Sequence, residues 1–553
     1  MSRKLIEKAD ALLKKEKGTV FKDPGGKVNI CLVYPNTYFV GMSNLGFQGI
    51  YTLLNEMPDV LCERAFLPDP EDMEEYQRTG AELFGLESKR PIGRFDIVAF
   101  SVSFENDYPN ILKILELSGI PLGAADRNVR RPLLIAGGVC IFSNPEPLAP
   151  FFDICFIGEA EEMLHEFIGL YREVGTREEL LLKASRIEGL YVPRLYEVGA
   201  TSPGAIGATS PGAIGDGRLL RRSLYGAPDI IRRRVADISK TSLRPSIITP
   251  ETEFSGMYLI EAMRGCPWSC RFCLAGHIYR PLRIKPLDKL KAEIAEALKH
   301  TGRVGLIAPS LSDYPYIKDV LKLQGVDFSI TSLRASPRSA EIIGLLKGHK
   351  SVSIAPEAGT ERLRQVVSKR LKEEEIIETS RLILRGGIER LKLYFMIGLP
   401  TETDEDIEGI ASLVKKIRGV SDRGEVVLTV STFVPKPFTP FQWHPMERPE
   451  TVKKRLGRLK KALAVKGVRV FHDVPKYAYM QGLFAMGDRS VSGVLEEMLL
   501  TPDWQKAAEK RGLDPSFYIF REKGFSEPLP WDFIDTGIKK ETLYQEYQKA
   551  VLS

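Results

Sequence analysis

The stretch MYLIEAMRGCPWSCRFC, residues 257–273, runs from a short apolar segment into a loop that carries three cysteines. Three residues separate Cys266 from Cys270, and two separate Cys270 from Cys273. This spacing lets one loop surround an iron–sulfur cluster, whose usual ligands are cysteine thiolates. Three ligands on a four-iron cluster leave one iron open, and an open metal site binds a small molecule. The alternative interpretation is a zinc site completed by His277.

Apolar runs and helical periods alternate around this loop, through residues 251–445. The apolar runs are MYLIEAM, VGLIAP, DFSITSLR, SVSIAPE, RLKLYFMIG and VVLTVSTFVP, and helical stretches separate them. Repeated βα units predict a wholly parallel sheet or a partial (β/α)6 barrel. The reactive groups of such a barrel gather at the C-terminal ends of its strands.

A second α/β pattern occupies residues 27–185. The runs VNICLVYP, FDIVAFSVSF, RPLLIAGGV and DICFIG alternate with helical segments. Short apolar runs between helices indicate a parallel sheet that is covered on both faces, so we expect a Rossmann-like domain. The charged residues 1–26 predict a helical extension in front of it.

The remaining segments, 186–250 and 446–553, do not show this alternation of apolar runs and helical periods. Residues 186–250 predict a linker, because ATSPGAIG occurs twice in tandem, at 200–207 and 208–215, and such small residues have little to pack. Beyond residue 445 the sequence becomes basic and helical, so residues 446–553 predict a smaller, mainly helical C-terminal domain. The overall expectation is an α/β protein with two large domains and one small one.

Composition is that of an ordinary globular protein. Of 553 residues, 43% are hydrophobic and 27% are charged, and the formal net charge is +6. No apolar run reaches the ~18 residues of a bilayer-spanning helix, and the first residues lack the apolar core of a secretory signal. We therefore expect a cytoplasmic protein without a membrane partner. Cysteines clustered in one loop fit metal ligation in a reducing compartment.

The segment CPWSCRFC at 266–273 resembles the CxxxCxxC signature of the radical S-adenosylmethionine (SAM) superfamily, with the aromatic Phe272 before the last cysteine. The resemblance implies a 4Fe–4S cluster that passes one electron to bound SAM, releasing methionine and a 5′-deoxyadenosyl radical that abstracts a substrate hydrogen atom. The protein positions the reactants and excludes water. A one-electron donor such as flavodoxin or ferredoxin is the implied partner, and oxygen sensitivity is expected.

The resemblance extends to the ends of the later strands, where it implies contacts with SAM. The glycine-rich turn that holds the SAM amino group is replaced here by a segment containing Pro309 and Ser310. Arg334 is expected at the SAM carboxylate, or alternatively in an ion pair at the barrel rim. Glu357 is expected at the ribose hydroxyls, with helix capping as the alternative. The other implied SAM contacts are Ser332, Ile397, Gly398 and Phe433.

The N-terminal half resembles the cobalamin-binding domain of the cobalamin-dependent branch of this superfamily. Glycines at strand ends let the backbone approach a flat ligand. The DxHxxG motif with its cobalt-binding histidine is absent, and no histidine precedes His165, so cobalamin would bind without that ligand. Cys140 either faces the corrin or is a small buried hydrophobic residue. The implied cobalamin contacts are Asn36, Ser43, Asn44, Gly46, Ser101, Ser103, Gly137, Gly138, Cys140, Gly158 and Glu159.

Nearly the whole chain is similar to a bacterial family of fused cobalamin-domain radical SAM proteins. The leading hypothesis is a cobalamin-dependent radical SAM enzyme that transfers a methyl group to an unactivated carbon. The alternative is a cobalamin-independent modifier of RNA or of a ribosomal component, in which the basic stretch 453–461 contacts nucleic acid; otherwise that stretch is a solvated helix face. A non-catalytic iron–sulfur or cobalamin sensor fits less well, because a sensor does not need SAM-facing segments at successive strand ends.

Overall fold

The computed structural model describes residues 2–128, 130–199, 221–241, 243–330, 332–345, 349–421 and 423–552. The ATSPGAIG repeat, predicted to be flexible, lies outside these residues. The chain divides into two compact units. The first unit comprises Met1–Leu259, Leu483–Pro515 and Ser526–Gly537, and the second comprises Ile260–Gly482, Ser516–Phe525 and Ile538–Ser553. No helix in the described part of the chain is long and apolar enough to cross a membrane.

Strands and helices alternate through the first half of the chain. The strands are β1 (Val28–Tyr34), β2 (Val60–Phe66), β3 (Ile97–Ser101), β4 (Leu133–Gly137), β5 (Ile154–Phe156), β6 (Leu190–Tyr191), β7 (Tyr196–Val198), β8 (Arg221–Ser223) and β9 (Ile231–Arg232). The α-helices are α1 (Arg3–Lys15), α2 (Tyr38–Met42), α3 (Leu45–Glu56), α4 (Pro70–Thr79), α5 (Tyr108–Leu117), α6 (Val139–Ser143), α7 (Ala160–Glu173) and α8 (Arg177–Ala184).

The same alternation resumes in the second half. The strands are β10 (Tyr258–Glu261), β11 (Met263–Arg264), β12 (Arg283–Ile284), β13 (Arg303–Ile307), β14 (Asp327–Ser329), β15 (Ser332–Leu333), β16 (Ser351–Glu357), β17 (Arg390–Ile397), β18 (Glu425–Thr432), β19 (Val468–His472) and β20 (Ile534–Asp535). The α-helices are α9 (Ala275–Ile278), α10 (Leu287–Leu298), α11 (Ile317–Leu321), α12 (Pro337–Ile343), α13 (Glu361–Val366), α14 (Glu373–Arg385), α15 (Asp404–Gly419), α16 (Pro449–Ala462), α17 (Pro475–Met486), α18 (Val491–Leu500), α19 (Trp504–Lys510), α20 (Pro515–Ile519) and α21 (Lys540–Val551).

The first unit is built on a sheet with strand order β2-β1-β3-β4-β5-β6. Strands β1 to β5 are parallel, and β6 runs antiparallel to β5. This confirms the Rossmann-like prediction. Because the chain order reverses between β1 and β3, the C-terminal ends of these two strands form the switch point where open α/β sheets bind ligands.

A buried ionic cluster ties the segment after α1 to β2. The Arg64 Nη2 lies 2.7 Å from Glu16 Oε2, and the Arg64 Nε lies 2.7 Å from Glu87 Oε1. The side chain of Arg64 has no exposed area, and the Tyr51 ring covers its guanidinium at 4.9 Å. Tyr38 donates a further hydrogen bond to Glu16. The N-terminal extension is therefore anchored to the sheet through charges that water does not reach.

The second half contains a three-stranded sheet, β10-β13-β14, and a five-stranded sheet, β15-β16-β17-β18-β19. Strand β13 pairs with β14 in parallel, and the neighbouring strands from β15 to β19 also pair in parallel. Each of the six strands predicted by the sequence is present, and the fold class is confirmed. The parallel strand β19 continues the sheet beyond the predicted barrel.

Residues 446–553 are divided between the two compact units. Their stretches 483–515 and 526–537 belong to the first unit, where Phe484 stacks on Tyr108 with ring centroids 5.6 Å apart. The remainder belongs to the second unit, where Tyr544 packs edge-on against Trp443. The apolar side chains of this region are thus divided between two cores.

The predicted linker, 186–250, is also partly built into the first unit. Strand β6 completes the main sheet, β7 pairs with β8, and β9 pairs with β20 near the C-terminus. The described part of this segment is therefore structured rather than a free connection.

Candidate functional site

The cysteine loop lies between β11 and α9. Gly265 begins it with a φ of 85°, and a β-carbon at this position would lie 2.6 Å from the carbonyl oxygen of Tyr279, so the tight turn requires glycine. The backbone N–H of Cys273 donates to the carbonyl of Cys270 at 3.0 Å. Cys270 is buried, whereas Cys266 and Cys273 are partly exposed. One compact loop therefore presents all three thiols.

The three thiols influence one another electrostatically. Burial and the neighbouring thiols of Cys270 and Cys266 raise the pKa of Cys273 to about 11. Thiols of this kind lose their protons when a metal replaces them. Within the described residues, no three cysteine, histidine or acidic side chains converge tightly enough for a single metal ion. A cuboidal cluster needs no such convergence, because each cysteine binds a different iron.

His277 is engaged by the backbone of the same loop. Its Nδ1 lies 3.0 Å from the carbonyl oxygen of Cys273, and the ring is buried. This contact holds the imidazole through Nδ1. Among the described residues, His277 and the three cysteines form no group that could hold a single zinc ion.

Two predicted SAM contacts gather around Trp268 of the cysteine loop. The guanidinium carbon of Arg334 lies 3.7 Å from the centre of the Trp268 ring, a cation–π geometry. The Trp268 Nε1 donates to Asp313 at 2.6 Å, and the Ser310 hydroxyl donates to the same Asp313 oxygen at 2.6 Å. Burial lowers the pKa of Arg334, although the guanidinium remains charged. Trp268 and Asp313 were not singled out from the sequence.

Glu357, predicted to bind the ribose, ends strand β16 with a left-handed φ of 68°. Its carboxylate forms an ion pair with Lys369, whose Nζ lies 2.9 Å from Oε1. Lys369 was also missed, because it stands in the basic run SKRLK and carries no motif. Pro309 is exposed, Phe272 is partly buried, and the side chain of Ser332 lies outside the described part of the structure.

Three further predicted SAM contacts, Ile397, Gly398 and Phe433, lie at the ends of β17 and β18. The backbone N–H of Phe433 donates to the carbonyl of Ile397 at 2.8 Å, and both side chains are buried. Gly398 has a φ of 80°, and its N–H donates to Glu402 at 2.7 Å. The Arg455 guanidinium holds the same Glu402 oxygen at 2.9 Å. These contacts fix the strand ends in one conformation.

An aromatic cluster connects Phe433 to the cysteine loop. Phe433 packs edge-on against Phe441, and the N–H of Phe441 donates to the carbonyl of Arg271 within the loop. The His444 ring contacts both phenylalanines, and its buried Nδ1 has no hydrogen-bond partner among the residues that the structure describes. Burial, with the nearby Lys523 ammonium, lowers the pKa of His444 to about 4.

We expect His444 to make the protein less stable in mild acid. Its folded-state pKa lies below the unfolded value of about 6.5, so the unfolded chain takes up the proton first. The stabilisation is complete above pH 6.5 and is lost as the pH falls towards 4, by about 2–3 kcal/mol. Chemical denaturation of the cluster-free protein between pH 7 and pH 4 measures this loss.

The variants His444→Gln and His300→Gln separate this effect from general acid sensitivity. His300 is about half exposed and pairs with Glu296 on the surface. His444→Gln is expected to flatten the pH profile, and His300→Gln to leave it unchanged. Equal slopes for the wild type and His444→Gln would contradict a buried neutral imidazole.

The switch point of the first unit brings several predicted cobalamin contacts together. The Asn44 side-chain amide donates to the Ser103 hydroxyl at 3.2 Å, which links the loops after β1 and β3. Asn36 donates to Asp107 at 2.8 Å, and burial raises the pKa of Asp107 to about 6. Gly138 has a φ of 105°, and a β-carbon there would clash with the Val102 backbone.

Apolar side chains stand exposed at the same ends of β1 and β3. Phe39 is 46% exposed, Val40 is 39% exposed and Phe104 is 44% exposed. Ser101 and Gly137 end the adjacent strands and are partly buried. Ser43 and Gly46 frame the start of α3, where the Ser43 hydroxyl donates to the carbonyl of Phe39. The C-terminal ends of β1 and β3 thus combine partly buried polar groups with exposed apolar side chains.

Three residues predicted to contact cobalamin instead contact other parts of the protein. Cys140 is 2% exposed, and its thiol interacts with Tyr108 instead of facing the edge. Gly158 bridges to Arg234, and the Glu159 carboxylate accepts the N–H of Ala236 at 2.9 Å. The segment after β9 therefore contacts the residues that follow β5.

Two family models match the chain. The model "Radical SAM proteins, N-terminal" matches residues 46–193, and the model "Radical SAM superfamily" matches residues 260–414. An uncharacterised protein of Methanocaldococcus jannaschii is 30% identical over 510 residues, which cover 90% of this chain and 97% of that protein. A tRNA-2-methylthio-N(6)-dimethylallyladenosine synthase of Sorangium cellulosum is 25% identical over 233 residues, 36% of this chain and 46% of that protein.

Solved structures with similar folds include two described as radical SAM proteins with cobalamin bound. OxsB with aqua-cobalamin and SAM has a TM-score of 0.47 at 11% identity, covering 95% of this chain and 80% of that one. TsrM from Kitasatospora setae with cobalamin and a 4Fe–4S cluster has a TM-score of 0.47 at 14% identity, covering 73% and 72%. From the family models and the archaeal relative, the chain belongs to the radical SAM superfamily.

Proposed function

We propose that this radical SAM enzyme binds cobalamin at the switch point of its first unit and transfers a methyl group to an unactivated carbon. The observation that carries the proposal is the combination of the Asn44–Ser103 hydrogen bond with the exposed Phe39 and Phe104 at one strand edge. A corrin is a flat ring with an apolar face and amide groups at its rim. Aromatic side chains would pack on the face, and asparagine and serine would pair with the amides.

The second unit supplies the SAM site in this proposal. When bound, the cluster and one SAM would supply an adenosyl radical that removes a substrate hydrogen atom, and cobalamin, methylated by a second SAM and re-reduced by the external electron donor, would supply the methyl group. Cys266, Cys270 and Cys273 hold the cluster. Arg334 pairs with the SAM carboxylate, and Glu357 accepts hydrogen bonds from the ribose hydroxyls. An external one-electron donor, such as flavodoxin or ferredoxin, reduces the cluster.

Cobalamin binding is expected to depend on Phe104. Replacing it with aspartate removes an apolar contact and adds a charge, which should weaken cobalamin binding by about tenfold to a hundredfold. Because Phe104 is exposed, the fold should be unaffected. The binding constant is measured by titrating hydroxocobalamin into anaerobic protein and following its visible spectrum.

Phe21→Asp is the matched control. Phe21 is 66% exposed and precedes Lys22, whose ammonium binds the carbonyl of Val60 at the opposite end of β2. This variant should bind cobalamin like the wild type. Cobalt near one per chain in protein isolated from cobalamin-fed cells is expected, and iron without cobalt would contradict the cobalamin part of the proposal.

Iron without cobalt would favour the alternative function, which is modification of RNA or of a ribosomal component. The observation behind this alternative is helix α16, on which Lys453, Lys454, Lys460 and Lys461 are all exposed. Residues seven apart share one side of a helix, so the four lysines form a basic surface suited to phosphates. The name of the Sorangium cellulosum relative states a tRNA product, which is the same substrate class.

A further inference from the structure

Lys369 is an unusual lysine because most of its side chain is buried. Only 13% of the side chain is exposed, and the same fraction of its partner Glu357 is exposed. Lysine is rarely buried unless it is paired. Here the Nζ lies 2.9 Å from Glu357 Oε1, at the end of a barrel strand. The ammonium is therefore held in a defined place instead of moving in solvent.

The backbone around this pair adopts sparsely populated conformations. Ser368 and Arg370, on either side of Lys369, have φ angles of 56° and 45°, and Glu357 has a φ of 68°. Non-glycine residues in the left-handed region cost free energy and persist where the surroundings impose them, often at functional sites. The N–H of Lys369 donates to the carbonyl of Arg364 at 2.8 Å, which helps to hold the turn.

The turn is attached to the cysteine loop. The N–H of Arg271, next to Cys270, donates to the carbonyl of Val367 at 3.0 Å, and the Arg271 guanidinium donates to Val366 at 2.7 Å. The Arg334 guanidinium, which lies over the Trp268 ring of the cysteine loop, also donates to the carbonyl of Lys369. The turn that carries Lys369 therefore adjoins the cysteine loop.

We propose that Lys369 sets the charge environment of the 4Fe–4S cluster and raises its reduction potential while it holds Glu357 in place. This inference rests on the cluster assignment at Cys266, Cys270 and Cys273. Reduction adds one electron, taken from a low-potential one-electron donor, and breaks no bond. A fixed positive charge next to the cysteine loop stabilises the more negative reduced cluster, because potential follows local charge and outer-shell contacts.

The directions in which two substitutions shift the midpoint potential of the cluster distinguish this role from a merely structural ion pair. Lys369→Met removes the positive charge, and the reduced-to-oxidised ratio at a fixed potential should fall about tenfold, which is about 59 mV for one electron. Glu357→Gln removes the negative charge and should shift the midpoint in the opposite direction. The double variant should lie near the wild type. A structural role would move neither midpoint, or both in the same direction.

The measurement is a redox titration of anaerobic, reconstituted full-length protein at pH 8, monitored by the electron paramagnetic resonance signal of the reduced cluster. Lys369→Arg keeps the charge and should keep the potential. Lys415→Met is the matched control, because Lys415 is exposed on helix α15. Iron content is determined on every sample, so that an altered midpoint is compared only among proteins with full clusters.

The outcomes separate the inference from the assignments beneath it. A wild type that binds no iron would overturn the cluster assignment itself. Full clusters with unchanged midpoints in both Lys369→Met and Glu357→Gln would overturn the role of Lys369 alone. If Lys369→Met loses its iron, Glu357→Gln decides, because an unchanged or lowered midpoint in that variant contradicts the proposal.

Discussion

Replacing Cys270 with alanine is expected to abolish both cluster binding and SAM cleavage. Two thiolates would remain for a cluster that the loop holds with three, and Cys270 is the buried one of the set. Iron should fall from about four per chain towards zero after reconstitution and desalting. Formation of 5′-deoxyadenosine from SAM under dithionite should fall below detection.

Cys155→Ala is the matched control for this experiment. Cys155 is fully buried in β5 of the first unit and lies outside the cysteine loop. Removing its thiol leaves a small cavity but no missing ligand, so iron and SAM cleavage should persist. Retention of iron and SAM cleavage by Cys270→Ala would overturn the assignment of the cluster to this loop.

The second large effect is expected on the free energy of unfolding, in the variant Arg64→Met. Arg64→Met leaves the carboxylates of Glu16 and Glu87 buried without their shared cation. Breaking a buried ionic cluster in this way typically costs about 3–5 kcal/mol, because the remaining charges stay desolvated. The midpoint of chemical denaturation of the first unit, followed by tyrosine fluorescence and circular dichroism in the cofactor-free chain, should fall accordingly.

Arg172→Met provides the comparison. Arg172 forms an ion pair with Asp59, and both side chains are about half exposed. Exposed pairs contribute about 0–1 kcal/mol, so this variant should be nearly as stable as the wild type. A loss for Arg64→Met no larger than that for Arg172→Met would mean that the buried cluster does not anchor the N-terminal extension.

Strand β2 illustrates what the sequence pattern could not predict. The strands β1, β3, β4 and β5 read as apolar runs and were predicted, whereas β2 reads VLCERAF and was not. Glu63 and Arg64 interrupt its apolar character, yet both are buried. Their burial depends on partners far along the chain, such as Glu87, and a local pattern contains no information about them.

The division of the C-terminal region between two units was not predicted, for a related reason. Its helical periods were recognised, but a period does not specify which core an apolar face joins. Strand β19 was missed because none of its residues is buried: Arg469 and Phe471 are exposed, and the other three are partly exposed. Its neighbour β18 is mainly apolar and was predicted.

Around the cysteine loop, the residues at strand ends were predictable and their contact partners were not. Ser310, Arg334 and Glu357 follow strands of a parallel barrel, and topology brings such positions to one end. Trp268 and Asp313 join them through contacts across 45 residues of sequence. Lys369 follows a helix, not a strand, so no rule about strand ends could select it.

The N-terminal edge was predicted in part. Asn36, Asn44 and Ser103 lie at the switch point as the strand order requires. Gly158 and Glu159 also end a strand, but a segment taken to be a linker covers them. The sequence indicated where ligand-binding positions would lie, without indicating which of them other parts of the chain fill.

Radical SAM chemistry is tested most directly by product analysis after anaerobic incubation of reconstituted wild-type protein with SAM and dithionite. We expect 5′-deoxyadenosine and methionine in equal amounts, from protein that carries about four irons per chain. Protein with a full cluster that forms neither product under any reducing condition would contradict the assignment of radical SAM chemistry to this chain.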